Sequence, residues 1–209
     1  MTRIICVSDT HSLHEAVEIP PGELLIHAGD HCNHGTSGEV KRFDRWLGRL
    51  PHPHKVIIAG NHDRPWYRRQ RYAKLWLHHA QYLQDQGTEL LGWKIWGSPW
   101  QPDFPQWAFY QRRNSPELAY IWEKIPEDTQ ILITHVPPAG ILDMETCEGP
   151  TGCAYLLERI GQLRHLKLHV FGHIHSGYGR LQRAGTTFVN ASICDESYRP
   201  IRPPIEVIL

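Results

Sequence analysis

Histidine, aspartate and asparagine recur along this chain in positions where they could hold metal ions. Asp9 and His11 flank Thr10 directly after the apolar run Ile4 to Val7. Gly29-Asp30 closes a second apolar run, Gly60-Asn61-His62-Asp63 a third, Thr134-His135 a fourth and Gly172-His173-Ile174-His175 a fifth. A lone Asp-x-His is a weak signal, because a turn aspartate beside a surface histidine explains it as well. Turn chemistry favours Gly, Asn and Asp but not His, so five successive apolar runs ending in such residues point to one shared site. The donors are carboxylate, amide and imidazole with no thiolate, which suits Mn, Fe, Zn, Ni or Mg better than a structural zinc knuckle. Two carboxylates and four imidazoles suffice for two ions. With Asp30 shared between them, the ions would stand about 3.5–4 Å apart and clamp the attacking and leaving oxygens of a displacement at phosphorus. The glycines before Asp30, Asn61 and His173 fit turns in which the backbone comes close to the ions, or serve as ordinary turn punctuation.

Such ligands need rigid strands behind them. Arg3 to Val7, Glu23 to His27, Lys55 to Ala59, Gln130 to Thr134 and Lys167 to Phe171 are β-rich runs bounded by Gly, Pro, Asp or Asn, and read as buried strands. Each candidate ligand then sits where the carboxyl end of a strand opens onto a loop, the usual place for ligands in α/β sheets. Helical spacing lies between the strands: Phe43, Trp46, Leu47, Leu50; Leu118, Ile121, Trp122, Ile125; and Leu156, Leu157, Ile160, Leu163. Ser115-Pro116 marks the start of the second helix. Tyr178 to Arg183, Thr186 to Asn190 and Pro204 to Ile208 read as further strands, with a hairpin at Ala184-Gly185. The architecture expected is a layered α/β sandwich, two facing sheets with helices outside, rather than one doubly wound sheet.

The length of 209 residues suits a single domain over 1–209. Lys and Arg number 22, as do Asp and Glu, so no net field favours a nucleic-acid polymer or an anionic membrane. The five cysteines (Cys6, Cys32, Cys147, Cys153 and Cys194) contain no C-x-x-C pair, which argues against a disulfide framework. No window approaches a membrane span and the first apolar run is too short for a signal sequence, so the expected location is cytoplasmic.

The motifs resemble those of the calcineurin-like metallophosphoesterases, whose pattern is D-x-H, G-D, G-N-H-D/E, a lone H and G-H-x-H. Every part is present in order between residues 4 and 190. The resemblance implies the four-layer sandwich of that superfamily, with two facing mixed β-sheets flanked by helices. It further implies Asp9, His11 and His175 on one metal, Asn61, His135 and His173 on a second, Asp30 bridging, and a bridging water or hydroxide as nucleophile. Manganese is the first expectation for both ions. His62 matches the family's catalytic histidine, which stabilises the reacting phosphate or protonates the leaving oxygen. Asp63 is expected either to orient His62 or to cap the following helix.

The Trp- and Pro-rich segment from Gly92 to Phe109, with Thr134-His135-Val136-Pro137-Pro138, resembles one branch of the superfamily. This branch is the metallophosphoesterase-domain-containing phosphodiesterases, which act on cyclic nucleotides and aryl phosphodiesters. One departure is Pro150-Thr151 where that branch would place a histidine before Gly152-Cys153. The expected activity is hydrolysis of small phosphodiesters, with phosphomonoesters as the close alternative and a non-catalytic metal-binding scaffold as a distant one. Trp66, Tyr67, Trp100, Phe104 and Trp107 are candidates for stacking on a base or aryl group, although each would as readily pack the core. Arg112 is a candidate phosphate contact, alongside other arginines that read as a solvated face. His31 and His34 are expected to be bystanders.

Overall fold

The computed structural model describes residues 1–102, 105–145 and 149–209; Phe104 and Cys147 lie outside them. In chain order the main elements are β1 (Arg3–Val7), β2 (Leu24–His27), α1 (Ser37–Arg49), β3 (His54–Ile57), α2 (Arg64–Arg68), α3 (Gln70–Lys74), β4 (Gln81–Tyr82), β5 (Gln86–Leu90), β6 (Trp93–Ser98), α4 (Pro116–Glu123), β7 (Ile131–Thr134), α5 (Ala154–Ile160), β8 (Leu168–Phe171), β9 (Gly179–Arg183), β10 (Thr186–Asn190) and β11 (Ile205–Ile208).

Two mixed sheets result. The first runs β11-β1-β2-β3-β4, parallel except for β11, and the second runs β9-β10-β8-β7-β6-β5, with β9 and β5 antiparallel to their neighbours. Because side chains alternate along each strand, the two faces of a sheet separate cleanly. Ile4, Cys6, Leu24, Ile26 and Val56 of the first sheet meet Ile131, Ile133, Leu168, Val170 and Val189 of the second in the central core. The opposite face of the first sheet, with Ile5, Val7, Leu25 and Ile57, is covered by Val40, Phe43, Trp46 and Leu47 of α1. Leu132 on the outside of the second sheet packs on Leu118, Ile121 and Trp122 of α4 and Leu156 of α5. The layers are therefore helix, sheet, sheet, helix, as expected.

Register decides where the loops open. Val7 lies opposite His27 and His27 opposite Ile57, so the loops carrying Asp9, Asp30 and Asn61 leave the same edge of the first sheet. Ile133 lies opposite Val170, which brings His135 and His173 out together from the second sheet. An isolated parallel bridge between Ser8 and Ser192 joins the two edges.

Local signals account for the ends of the elements. Thr36 and Glu39 form a reciprocal capping box at the start of α1, and Ser115 caps α4 through the Leu118 N–H at 3.2 Å. Ala184 and Gly185, both with positive φ, make the β9–β10 hairpin turn. Within the Trp- and Pro-rich segment, Trp93–Ser98 is β6, parallel to β7, with Ile95 turned into the core. Among the described residues no helix is long and apolar enough to cross a membrane, and Cys6, Cys32, Cys153 and Cys194 are free.

Candidate metal centre

Five loops converge at the shared edge of the sandwich. Asp9 Oδ1, His11 Nε2 and His175 Nε2 form a triangle with sides of 3.2, 3.6 and 4.0 Å. The point equidistant from these atoms lies about 2.1 Å from each, the length of a metal–nitrogen or metal–oxygen bond. A second set lies alongside. Asn61 Oδ1 is 2.9 Å from both His135 Nε2 and His173 Nδ1, and His135 Nε2 is 3.4 Å from Asp30 Oδ2. Adjacent donors around an octahedral ion with bonds near 2.1 Å stand about 3.0 Å apart, so this set also suits a divalent cation. Asp30 is common to both sides: its carboxylate groups with His11 and His62, and separately with Asp9 and His135.

The backbone bears the cost of this convergence. Asp9, His11, Asp30 and His173 all have positive φ, between 42° and 68°, where a side-chain-bearing residue costs about 1–2 kcal/mol. Left-handed residues of this kind concentrate at functional sites. Gly60 and Gly172 meet a different demand. A Cβ on Gly60 would stand 2.3 Å from Asp30 Oδ1, and one on Gly172 would stand 2.0 Å from Asp9 Oδ2. Only a hydrogen fits in either place.

Three of the candidate ligands, Asp9, His135 and His175, are oriented from behind. Ser192 Oγ donates to Asp9 at 2.8 Å, as does the His173 N–H at 3.0 Å. The remaining nitrogen of His135 bonds the Ala28 carbonyl at 2.9 Å, and Nδ1 of His175 bonds the Asp195 carbonyl at 2.9 Å. Such partners fix the tautomer and aim the opposite nitrogen at the ion. Burial penalises charge throughout, lowering His11 to about 4 and His173 to about 3. Burial also opposes an imidazolium at His135, but the Asp30 carboxylate outweighs it and raises His135 to about 9. His175 moves upward in the same way against burial, through its bond to Asp9. In the metal-free protein, therefore, the His135 imidazolium offsets the charge of the Asp30 carboxylate, a role that a cation takes over when bound.

His62 stands beside the cluster without joining either donor set described above. Its Nδ1 bonds the Asn33 carbonyl at 2.7 Å, which leaves Nε2 without a hydrogen-bond partner among the described residues, and its backbone N–H donates to Asp30 Oδ1 at 2.8 Å. The Trp107 ring centre lies 4.3 Å from that of His62, and the Arg64 guanidinium sits over Trp107 at 5.2 Å. Arg64, Tyr67, Arg68, Trp107 and Tyr110 line a cavity of about 160 Å³ next to this wall.

Several expectations need correction. Asp63 neither contacts the His62 ring nor caps α2 with its side chain. Its buried carboxylate accepts the N–H groups of Asp30, Gly60 and Cys32 and approaches His31 Nδ1 at 3.2 Å. Trp66 is fully buried, stacked on Tyr82 at 4.0 Å, and donates from Nε1 to His31 at 2.9 Å, so it belongs to the core and not to a substrate wall. His31 is accordingly part of a buried polar chain and no bystander. Trp100 is half-buried, with Nε1 donating to Asp85 at 2.7 Å and its ring against Phe109. Arg112 is exposed ahead of α4. Of the proposed substrate contacts among the described residues, Trp107 alone touches the ring of a candidate site residue. Ser192, Asp195 and Tyr198 escaped notice because their loop, 191–200, has no periodicity and reaches the site only by folding back across the chain.

A layered fold with polyvalent oxygen and imidazole sites at its loop edge defines a class of metal-dependent hydrolases, and the comparisons with known proteins agree. The sequence model of the calcineurin-like phosphoesterases matches residues 2–177, and the chain belongs to that family. Its members bind divalent metals and hydrolyse phosphoesters. The chain is 41% identical over 232 residues to human metallophosphoesterase domain-containing protein 1, across 100% of this chain and 71% of that protein, and the mouse protein of the same name gives the same figures. The solved structure of TT1561 of Thermus thermophilus shares the fold, with a TM-score of 0.62 at 16% identity over 90% of this chain and 88% of that one.

Proposed function

We propose that this protein is a dinuclear phosphodiesterase acting on small diesters, cyclic nucleotides and aryl phosphodiesters among them, with manganese as its metal. The observation that carries this reading is the place of the Asp30 carboxylate near donors of both sets, close to Asp9 and His11 of the set with His175 and 3.4 Å from His135 Nε2 of the set with Asn61 and His173. Bound ions would polarise a phosphoryl oxygen and activate water there. The protein's own residues do the rest. Asp30 holds the two sets at one spacing while its Oδ1 is fixed by the His62 N–H. His62, with Nδ1 committed to Asn33, presents Nε2 to hold or deliver a proton at the departing ester oxygen. Trp107 gives the cleft an apolar side at His62, which suits the second ester group that distinguishes a diester from a monoester. The balanced charge of the chain supports a small-molecule substrate over a polymer.

The test is turnover of bis-p-nitrophenyl phosphate against p-nitrophenyl phosphate by metal-stripped protein refilled with Mn²⁺, alongside 2′,3′- and 3′,5′-cyclic AMP. Higher kcat/KM on the diesters is expected. A preference for the monoester would make the protein a phosphomonoesterase, and no turnover with metal bound would leave a scaffold.

A further inference from the structure

Beyond the span matched by the family, the chain brings one more aromatic side chain to the cluster. The Tyr198 ring centre lies 4.7 Å from that of His11, 5.5 Å from His175 and 6.1 Å from His62, with the rings inclined at 70°, 74° and 58°. Tyr198 lies C-terminal to residues 2–177, which the family model matches. Tyr198 is 45% exposed, which leaves part of the side chain facing solvent beside the ligands.

The loop that holds it is built for that placement. Tyr198 has φ 58°, a left-handed conformation that a bulky residue seldom adopts unless its surroundings impose it. Its N–H donates to the Asp195 carbonyl at 2.9 Å, the same carbonyl that orients His175. The Asp195 carboxylate accepts the N–H of Ser197 at 2.9 Å, the N–H of Arg199 at 2.8 Å and Nε of Arg199 at 2.7 Å. Arg202 closes the loop from beneath through the carbonyls of Cys194 and His175. One turn therefore fixes both a candidate ligand and the ring beside it.

We propose that Tyr198 is a specificity-determining residue whose exposed ring contacts an aryl or heteroaryl group on the phosphoester, favouring such esters over alkyl ones. The inference rests on the phosphoester reading of the metal site. A phosphoryl group held among His11, His62 and His175 has its ester substituents within reach of a ring that touches all three. A planar substituent gains from ring contact what a methyl or ethyl group cannot.

The test is calorimetric binding of phenylphosphonate and methylphosphonate to the manganese-loaded protein. The two ligands share the metal-seeking head and differ in the group it carries. The wild type is expected to bind phenylphosphonate about tenfold more tightly. Tyr198→Phe should keep that ratio, and Tyr198→Leu, which carries the same left-handed cost, should bring it to about twofold at unchanged metal content. If the leucine variant does not fold, Tyr198→Asn, which tolerates positive φ, replaces it. A wild-type ratio near one, or a full ratio in the leucine or asparagine variant, overturns the assignment. Because binding is read apart from turnover, loss of the diester reading with the ratio intact leaves Tyr198 in place. Loss of the ratio with diester turnover intact removes Tyr198 alone.

Discussion

Asp63 accepts the backbone N–H of Asp30 at 2.9 Å, so the residue after His62 holds the shared carboxylate's loop against the loop of Asn61. It also accepts the N–H of Gly60 at 2.8 Å and that of Cys32 at 2.9 Å, and it is fully buried. Behind it, Trp66 Nε1 donates to His31 Nε2, which leaves His31 Nδ1 to face Asp63. The three N–H bonds to the Asp63 carboxylate are buried, and the low-dielectric surroundings make each costly to lose.

Asp63→Asn should therefore act on the scaffold first. An amide has one acceptor oxygen and turns its NH₂ toward donors, leaving at least one buried N–H unpaired. The expected loss is about 2–4 kcal/mol in unfolding free energy, with metal affinity reduced about 10–100-fold. Urea unfolding and metal titration read these separately. Wild-type values in both would remove Asp63 from any supporting role.

Asp30→Ala and Asn61→Ala should differ. The first removes a donor from both sets and should leave the purified protein with little metal. The second removes a donor from one set only and should retain about one ion per chain. Elemental analysis decides between them, and equal metal content in the two variants would refute the sharing of Asp30.

His62→Ala should keep its metal and lose turnover, by about 10²–10⁴-fold if the imidazole handles a proton in the reaction. A parallel loss of metal would instead make His62 a ligand, an arrangement its proximity to Asp30 and His11 allows.

The five strand-and-ligand pairs were legible in the sequence because each lies within a few residues of its own strand end, and short-range pattern is what periodicity and turn chemistry report. Asp9, Asp30 and His135 are therefore found where spacing placed them. Strand β6 was hidden by its tryptophans, which resemble a binding loop until Ile131–Thr134 is seen pairing with it. The roles of Asp63, His31 and Trp66 depend on contacts across more than thirty residues, and that of Tyr198 on contacts across nearly the whole chain. Nothing local distinguishes a tryptophan bonded to a buried histidine from one lining a cleft. Trp66 accordingly lies in the core rather than at the site.

Metal binding should release protons. His135 sits at about 9, above the ordinary histidine value of 6.5, because its imidazolium pairs with Asp30 despite burial. The sign follows: in the metal-free protein this pair stabilises the fold fully below pH 6.5, and its contribution disappears as pH rises through about 9. An ion must displace that proton, so metal affinity should climb up to about pH 9 by roughly tenfold per pH unit for each proton lost. Titrating metal-free protein with Mn²⁺ in weak buffer at pH 7.5 should release at least one proton per chain. Affinity that is flat between pH 7 and 9 would contradict the pairing.

Glu39 has the opposite sign and reaches the site through a longer path. Its carboxylate accepts Ser12 Oγ at 2.9 Å, the N–H groups of Asn33 and His34 at 3.0 Å each, and both the N–H and Oγ1 of Thr36 at 2.7 and 2.8 Å. Burial works against its charge, but the N–H groups of His34 and Thr36 prevail and hold it at about 2, below the usual 4.5. The stability it contributes is present above pH 4.5 and is lost as pH falls through about 2. Glu39→Gln should cost about 1–2 kcal/mol at pH 7, and the gap to the wild type should close as pH falls through about 2, where the Glu39 carboxylate loses its charge. Since the same loop presents the Asn33 carbonyl that fixes His62, the variant should also lower kcat with little change in bound metal. Thermal melts at pH 7 and pH 2 check the first effect and single-turnover kinetics the second. A stability gap undiminished at pH 2 would mean that shape, and not charge, carries the role of Glu39.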